Sequence, residues 1–219
     1  MSKQFAVILS GCGFMDGSEI HEATLTLLWL AKTDAEYQCL APDTFQFDVI
    51  DHISGNPIDE KRHVIRESAR IARGSVLPLS KARAEDYDGV ILPGGFGAAK
   101  NLSDFALKAR DCQVHGALKR FLLAMHNQGK PIGAICIAPV VIAKVFEGVV
   151  TLKLTIGTDA NTADNIEAMG HQHTDCAADD IVVDEANRVL STPAYMLGKT
   201  IKDVEAGIAK LVKRIVAMA

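Results

Sequence analysis

The chain has 219 residues, of which 48% are hydrophobic and 23% charged, and its formal net charge is −4. This length and balance predict a folded domain with a sizeable core and exclude an extended disordered chain. The small negative charge gives no reason to expect nucleic acid or an anionic membrane as a partner.

Targeting signals and cysteines bear on the cellular compartment. The first ten residues carry one positive charge and too short an apolar stretch for a secretory signal peptide. The longest uncharged apolar run, over 131–143, is too short to span a bilayer. Five widely spaced cysteines without a Cys-x-x-Cys pair indicate reduced thiols rather than a disulfide framework. These features predict a cytoplasmic protein.

Apolar runs alternate with helical patterns in the first half of the chain. A buried strand is predicted over 5–10, followed by a helix over 18–32 that Ser18 would cap. A strand over 37–41, a small hairpin excursion around 47–57 and a helix over 61–73 come next. This alternation is typical of a parallel sheet whose strands are joined by helices.

The second half continues the alternation. A strand that begins at residue 88 stops at a Pro-Gly-Gly turn. Further patterns predict a helix over 118–128, a strand over 131–135, a helix over 139–146, a hairpin over 180–191 and a final helix over 202–218. We therefore expect one α/β domain over residues 1–219 with a mostly parallel central sheet.

Three predicted strand ends carry unusual residues, at 10–13, 93–97 and 136–137. Ligands of open parallel sheets bind beyond the carboxyl ends of the strands. A functional site is therefore expected where these three segments meet.

Cys136 lies between a predicted strand and a predicted helix with proline in its first turn. A sharp strand-to-helix turn can hold a nucleophile in a cleft, and the N-terminus of the following helix favours the thiolate and lowers the pKa. The alternative is a buried core cysteine, since free cysteine is among the most buried residue types.

The glycine pair Gly94-Gly95 follows another strand. Glycines there let the backbone approach a ligand, so the amides of Gly95 and Ile137 could stabilise the oxyanion of a tetrahedral adduct. A loop that merely requires positive φ is the competing explanation.

Other candidates have weaker patterns. Cys12 could supply a second thiol to the same cleft or be incidental. His171, His173 and Cys176 have spacing suited to zinc but lack a fourth partner, so we predict no metal site. The glycines around Cys12 do not fit the dinucleotide-binding pattern, and no organic cofactor is predicted.

Several motifs resemble one superfamily. They are "SGCGFMDGSEIHEA" at 10–23, "LPGGFGAAKNL" at 92–102, "AICIAP" at 134–139, "TIGTD" at 155–159, "DDIVVDE" at 179–185 and "STPAYM" at 191–196. Together they resemble the class I glutamine amidotransferase-like superfamily, which includes proteases, deglycases and glutathione-independent glyoxalases. Within it, the chain is most similar to the enhancing lycopene biosynthesis protein family, an isoprenoid-linked, glyoxalase-like family.

The resemblance implies a flavodoxin-like three-layer α/β sandwich and a set of site residues. It makes Cys136 the nucleophile, Gly95 and Ile137 the oxyanion amides, and Glu22 rather than Glu19 the acid beside the thiol. A carboxyl there would be pushed towards protonation. Relatives often place a histidine directly after the cysteine or further downstream, but here Ile137 follows it. Amidotransferase and protease activities are therefore not expected.

The resemblance thus predicts a lyase-type enzyme, a glyoxalase that converts glyoxal, or less readily methylglyoxal, to the 2-hydroxy acid through a cysteine hemithioacetal. The expected partners are a small aldehyde substrate and a second copy of the chain in a homodimer, without nucleic acid or membrane. Two alternatives remain open. One is a non-enzymatic accessory or redox-sensing protein in isoprenoid metabolism, and the other is a protein deglycase.

Overall fold

The computed structural model describes residues 2–219, which form a three-layer α/β sandwich. The strands are β1 (Gln4–Ile8), β2 (Glu36–Ala41), β3 (Val76–Pro78), β4 (Gly89–Leu92), β5 (Ile132–Ile135), β6 (Lys153–Leu154), β7 (Gln172–His173), β8 (Val182–Asp184) and β9 (Val189–Thr192). The helices are α1 (Ile20–Lys32), α2 (Val64–Ile71), α3 (Phe96–Lys100), α4 (Phe105–Lys108), α5 (Gly116–Asn127), α6 (Ala138–Phe146), α7 (Ala160–Ala168) and α8 (Ile201–Met218).

The central sheet has seven strands in the order β3-β2-β1-β4-β5-β9-β8. Every neighbouring pair is parallel except β8 and β9, which form the predicted antiparallel hairpin. Strands β6 and β7 pair separately. The predicted α/β fold with a mostly parallel sheet is confirmed.

Side-chain alternation along the buried strands divides the core into two layers. Ala6 and Ile8 of β1 pack against α5 and α6, whereas Phe5 and Val7 pack towards α1 and α8. Successive strand residues point to opposite faces, so a strand covered on both sides reads as a continuous apolar run. This explains why the central strands lack an apolar–polar alternation.

The sheet order explains the position of the site. Strands β1, β4 and β5 are neighbours at its centre and parallel, so their carboxyl ends lie side by side. The three unusual segments at 10–13, 93–97 and 136–137 follow these ends directly. The expectation that they converge is confirmed.

Some local predictions were wrong. Helix α1 begins at Ile20 with Glu19 as its N-cap, and the Ser18 hydroxyl instead accepts a hydrogen bond from the backbone N–H of Ser10. Ser18 therefore stabilises the loop between β1 and α1 instead of capping the helix. Helices α3, α4 and α7 were not predicted, because with five, four and nine residues they are too short to show a clear helical repeat.

Within residues 2–219, no helix combines the length and apolar character required to cross a bilayer.

Candidate active site

Cys136 occupies the turn between β5 and α6 in a left-handed conformation. Its φ is +61°, a region that residues other than glycine visit rarely. The turn is held in part by the Cys136 N–H, which donates to the Thr192 carbonyl at 2.9 Å. Only 8% of the residue is exposed, and that part faces a cleft. Strained backbone of this kind is concentrated at functional sites.

Glu22 lies fully buried beside Cys136. One carboxyl oxygen accepts a hydrogen bond from the Gly94 N–H at 2.9 Å, and the other accepts one from the Tyr195 N–H at 3.2 Å. The carboxyl lies next to the Cys136 side chain, because a Cβ atom placed on Gly94 would be 2.7 Å from Glu22 Oε2 and 2.5 Å from Cys136 Cβ. Burial, reinforced by the nearby Glu19 carboxyl, raises the pKa of Glu22 from 4.5 to about 8. Glu22 therefore holds its proton near neutral pH.

Glu19 has a different position, three residues before Glu22 on the same helix. Its side chain accepts a hydrogen bond from the Glu22 N–H at 2.7 Å and caps α1, while its N–H donates to the Gly94 carbonyl at 3.0 Å. It lines the cleft without taking the position next to the thiol. The structure thus brings Glu22, and not Glu19, against Cys136.

The expected low pKa of Cys136 was wrong. Burial and the adjacent Glu22 carboxyl raise the pKa of the thiol well above 9.0, although the amides of Gly95 and Ile137 lower it. The sequence predicted these two amides as donors to the oxyanion of an adduct, and that role stays a prediction. In a buried site, desolvation of a thiolate outweighs the favourable end of one helix.

The glycine turn after β4 cannot hold a side chain. Gly95 has φ +91°, and a Cβ atom there would lie 2.4 Å from both the Gly17 carbonyl oxygen and the Glu19 nitrogen. At Gly94 a Cβ would lie 2.5 Å from the Cys136 Cβ and 2.7 Å from Glu22 Oε2. Both glycines are therefore required for the close packing of the turn against α1 and Cys136.

Gly94→Ala should destabilise the protein by about 1–3 kcal/mol, because the added methyl group meets backbone and buried side chains. Urea unfolding followed by circular dichroism measures this free energy. Gly116→Ala is the matched control, since the closest atom to a Cβ there lies 3.5 Å away on the flexible Arg120 side chain. Equal stability of the two variants would contradict the packing argument.

The exposed edge of Cys136 opens into a cleft of about 470 Å³. Its lining is largely apolar and comes from five regions of the chain: Phe14, Glu19, Gly95, Phe96, Ala99, Phe105, Ala106, Cys136, Ile137, Asp159, Thr162, Tyr195 and Met196. A concave apolar cleft with a few converging polar groups is the usual form of a small-molecule site.

Sequence reasoning missed part of this site. The Tyr195 hydroxyl and His21 Nδ1 form a hydrogen bond of 2.7 Å between their side chains at the edge of the cleft. Asp159 caps α7 and also lines the cleft. The motifs at 155–159 and 191–196 did mark these segments, but only the tertiary structure shows which side chains line the cleft.

The weaker candidates lie elsewhere. Cys12 is half-buried near Glu67 and does not line the cleft. The His171 imidazole accepts from the Leu152 N–H through Nδ1 and donates to the Ala143 carbonyl through Nε2, so its role is structural. His173 Nε2 accepts from the Ile156 N–H. Across residues 2–219, no group of three or more His, Cys, Asp or Glu side chains is arranged to hold a metal ion.

A parallel α/β sheet, a strained strand-to-helix cysteine and a facing glycine turn define an α/β protein of the class I glutamine amidotransferase-like superfamily. The family model "DJ-1/PfpI family" matches residues 16–196. The chain belongs to the DJ-1/PfpI family.

Similar proteins cover nearly the whole chain. The human "Glutamine amidotransferase-like class 1 domain-containing protein 3, mitochondrial" is 44% identical over 97% of this chain and 82% of its own length. The zebrafish "ES1 protein, mitochondrial" is 35% identical over 87% of this chain and 76% of its own.

Solved structures with the same fold also cover nearly the whole chain. An isoprenoid biosynthesis protein with an amidotransferase-like domain from Ehrlichia chaffeensis has a TM-score of 0.92 and 38% identity, covering 99% of this chain and all of that one. Drosophila melanogaster DJ-1beta has a TM-score of 0.61 at 19% identity, covering 99% and 91%, and shares the fold.

The prediction of a cytoplasmic protein was wrong, because the human, rat and zebrafish relatives are mitochondrial proteins. That prediction rested on the lack of a secretory signal, the lack of a membrane-spanning apolar run and the pattern of cysteines. Mitochondrial targeting segments are amphipathic and arginine-rich, a pattern that it did not consider.

Proposed function

We propose that this protein is a glutathione-independent glyoxalase, which adds water to glyoxal and rearranges it to glycolate. The observation that carries the proposal is the Cys136 thiol held between the buried Glu22 carboxyl and the amides of Gly95 and Ile137. Such a site provides a nucleophile, a proton carrier and donors for an oxyanion, which are the parts that this reaction needs.

The reaction begins when Cys136 Sγ adds to one carbonyl carbon. The thiol proton passes to the Glu22 carboxylate, and the new C–S bond leaves an oxyanion that the amides of Gly95 and Ile137 stabilise. Glu22 then returns the proton to that oxygen, giving a neutral hemithioacetal. No bond of the aldehyde has yet been broken except its C=O π bond.

The second stage moves hydrogen between the two carbons. Glu22 removes the proton from C1 to form an enediol and delivers it to C2, while the C1 hydroxyl proton passes to the C2 oxygen. C1 is thereby oxidised and C2 reduced, with no external oxidant. Water then cleaves the C–S bond of the resulting thioester, releasing glycolate and restoring the Cys136 thiol.

Activity should rise with pH through about 8. Glu22 must be ionised to accept the thiol proton, and its raised pKa keeps it protonated below that pH. We expect kcat/KM to climb roughly tenfold per pH unit on the acid side and to level off above 8. Initial rates measured from pH 5.5 to 9.5, corrected for the reaction without enzyme, test this. A profile that falls over this range would contradict a base role for Glu22.

Product identification tests the function itself. The purified protein is incubated with glyoxal in the absence of any added thiol, and the product is identified by NMR. Glycolate formation at a rate proportional to protein concentration would support the proposal. Loss of glyoxal without glycolate, or no loss above the blank, would contradict it.

We also propose that the chain belongs to the enhancing lycopene biosynthesis protein family within this superfamily. The support is the high similarity to the Ehrlichia chaffeensis structure, which is described as an isoprenoid biosynthesis protein. Assembly into a homodimer stays a prediction, which sedimentation equilibrium can test.

The redox-sensor alternative has less support. Readily oxidised cysteines are exposed and have a low pKa. Cys136 is buried, and burial raises the pKa of its thiol. A site that keeps its thiol protonated until a carbonyl arrives is better suited to addition chemistry.

A further inference from the structure

The cleft beside Cys136 is much larger than glyoxal requires. Its volume of about 470 Å³ lies within the range for sites that enclose drug-sized ligands. A two-carbon dialdehyde would leave most of this space filled with water. The cleft therefore has room for a substituent on the aldehyde.

The walls of the cleft show what kind of substituent fits. Phe14 and Phe96 line it and remain 43% and 51% exposed, respectively. The Phe96 N–H donates to the Phe14 carbonyl at 2.7 Å, so the backbones that carry the two rings are fixed relative to each other. Phe105, Ile137 and Met196 extend the apolar lining. An apolar group placed here would remove this surface from water.

The charge of the cleft excludes another class of substituent. Its charged lining residues within 2–219 are the acids Glu19 and Asp159. Lys100 Nζ lies 5.9 Å from the centroid of the Phe96 ring and is paired with Asp48 at 2.7 Å. His21 at the edge of the cleft is hydrogen-bonded to Tyr195. Asp159 is exposed and accepts hydrogen bonds from Thr162, which lowers the pKa of its carboxyl and keeps it ionised. A carboxylate or phosphate on the substrate would meet these two acids, and none of the described residues that line the cleft is a lysine or arginine that could pair with it.

We propose that the preferred substrate is an uncharged 2-oxoaldehyde whose second carbonyl carries an apolar aryl or branched alkyl group. This inference rests on the proposed function and names the substrate class of the same site. The apolar group lies between Phe14 and Phe96, while the aldehyde carbon reaches Cys136.

The chemistry is unchanged by the substituent. With phenylglyoxal, Cys136 Sγ adds to the aldehyde carbon and the thiol proton goes to the aldehyde oxygen. The hydrogen on that carbon then moves to the ketone carbon and the hydroxyl proton to the ketone oxygen, and water cleaves the resulting thioester. The sum is phenylglyoxal plus water giving mandelate, so that the aldehyde is oxidised and the ketone reduced within one molecule.

The first test compares kcat/KM for phenylglyoxal and glyoxal, with Cys136→Ser as the blank. Burial of a phenyl ring should favour phenylglyoxal about ten- to a hundredfold. Phe96→Ala should lower this preference about three- to tenfold. Phe47→Ala is the matched control, since Phe47 is 55% exposed but does not line the cleft, and it should leave the preference unchanged.

The second test probes charge by the rate at which Cys136 is alkylated. Neutral iodoacetamide should react faster than anionic iodoacetate, and Asp159→Asn should reduce this rate ratio about threefold. Asparagine also caps helices, so α7 should be preserved. Asp164→Asn, on the same helix but outside the cleft, is the control and should not change the ratio.

The outcomes separate this inference from the proposed function. Turnover of glyoxal as good as or better than that of phenylglyoxal overturns the substrate class and leaves the glyoxalase intact. If neither aldehyde is turned over, the glyoxalase proposal fails. The preference of the cleft for an apolar substituent is then tested by measuring how well simple aldehydes protect Cys136 from iodoacetamide. Protection by benzaldehyde at concentrations where propionaldehyde gives none would support an apolar substituent, and equal or absent protection would overturn it.

Discussion

Replacing Cys136 with serine should reduce glyoxalase activity by at least about three to four orders of magnitude, the largest effect of any single substitution. The hydroxyl of serine is a much weaker nucleophile than a thiol, and the described residues that line the cleft include no histidine to activate an alcohol. Since the side chain is nearly isosteric, the fold should persist. Glycolate formation from glyoxal measures the loss.

Cys12→Ser is the matched control for that experiment. Cys12 follows β1, which β4 separates from the strand before Cys136, and it does not line the cleft, so its replacement should leave the rate within about twofold of the original. Substantial activity in Cys136→Ser, or a comparable loss in Cys12→Ser, would refute the role assigned to Cys136.

Glu22→Gln should slow turnover by about two to four orders of magnitude, the usual effect of removing a general acid or base. The amide cannot accept the thiol proton or carry hydrogen between the two carbons. The variant should also lose the rise of kcat/KM through pH 8, because the group with that pKa is gone. Steady-state kinetics across pH, with circular dichroism to verify the fold, measure both effects.

Glu19→Gln provides the comparison on the same helix. Glu19 caps α1 through its side chain, and glutamine can still accept a hydrogen bond from the Glu22 N–H. We expect a loss of less than about tenfold, with the pH profile retained. Full activity of Glu22→Gln, or a larger loss in Glu19→Gln, would assign proton transfer to another group.

Much of the fold and the centre of the site could be predicted because their signals are local. A predicted strand ends just before Cys136 and a helix with proline in its first turn begins just after it, so about a dozen residues are enough to predict the turn. The glycines at 94 and 95 likewise follow directly from a strand end. The choice of Glu22 over Glu19 as the acid beside the thiol required the family resemblance, since two acids three residues apart share one face of a helix.

The remainder of the site depends on tertiary structure. Tyr195 reaches Glu22 through its backbone N–H, a contact between residues 173 positions apart. Asp159 is the N-cap of α7, a helix of nine residues that is too short to be recognised from its sequence. The pKa of Cys136 was mispredicted because the N-terminus of α6 is visible in the sequence, whereas the depth of burial is not.

Because the Glu22 carboxyl is buried, a rise in pH has opposite effects on the proposed activity and on folding stability. Its pKa is about 8 in the folded chain, against an ordinary value of 4.5, so the native state holds a proton that the unfolded chain releases. This contribution to stability is complete below about pH 4.5 and is lost as the pH rises to about 8. Over that same interval, ionisation of Glu22 switches the proposed chemistry on. The protein thus gains its catalytic base only as its free energy of unfolding decreases.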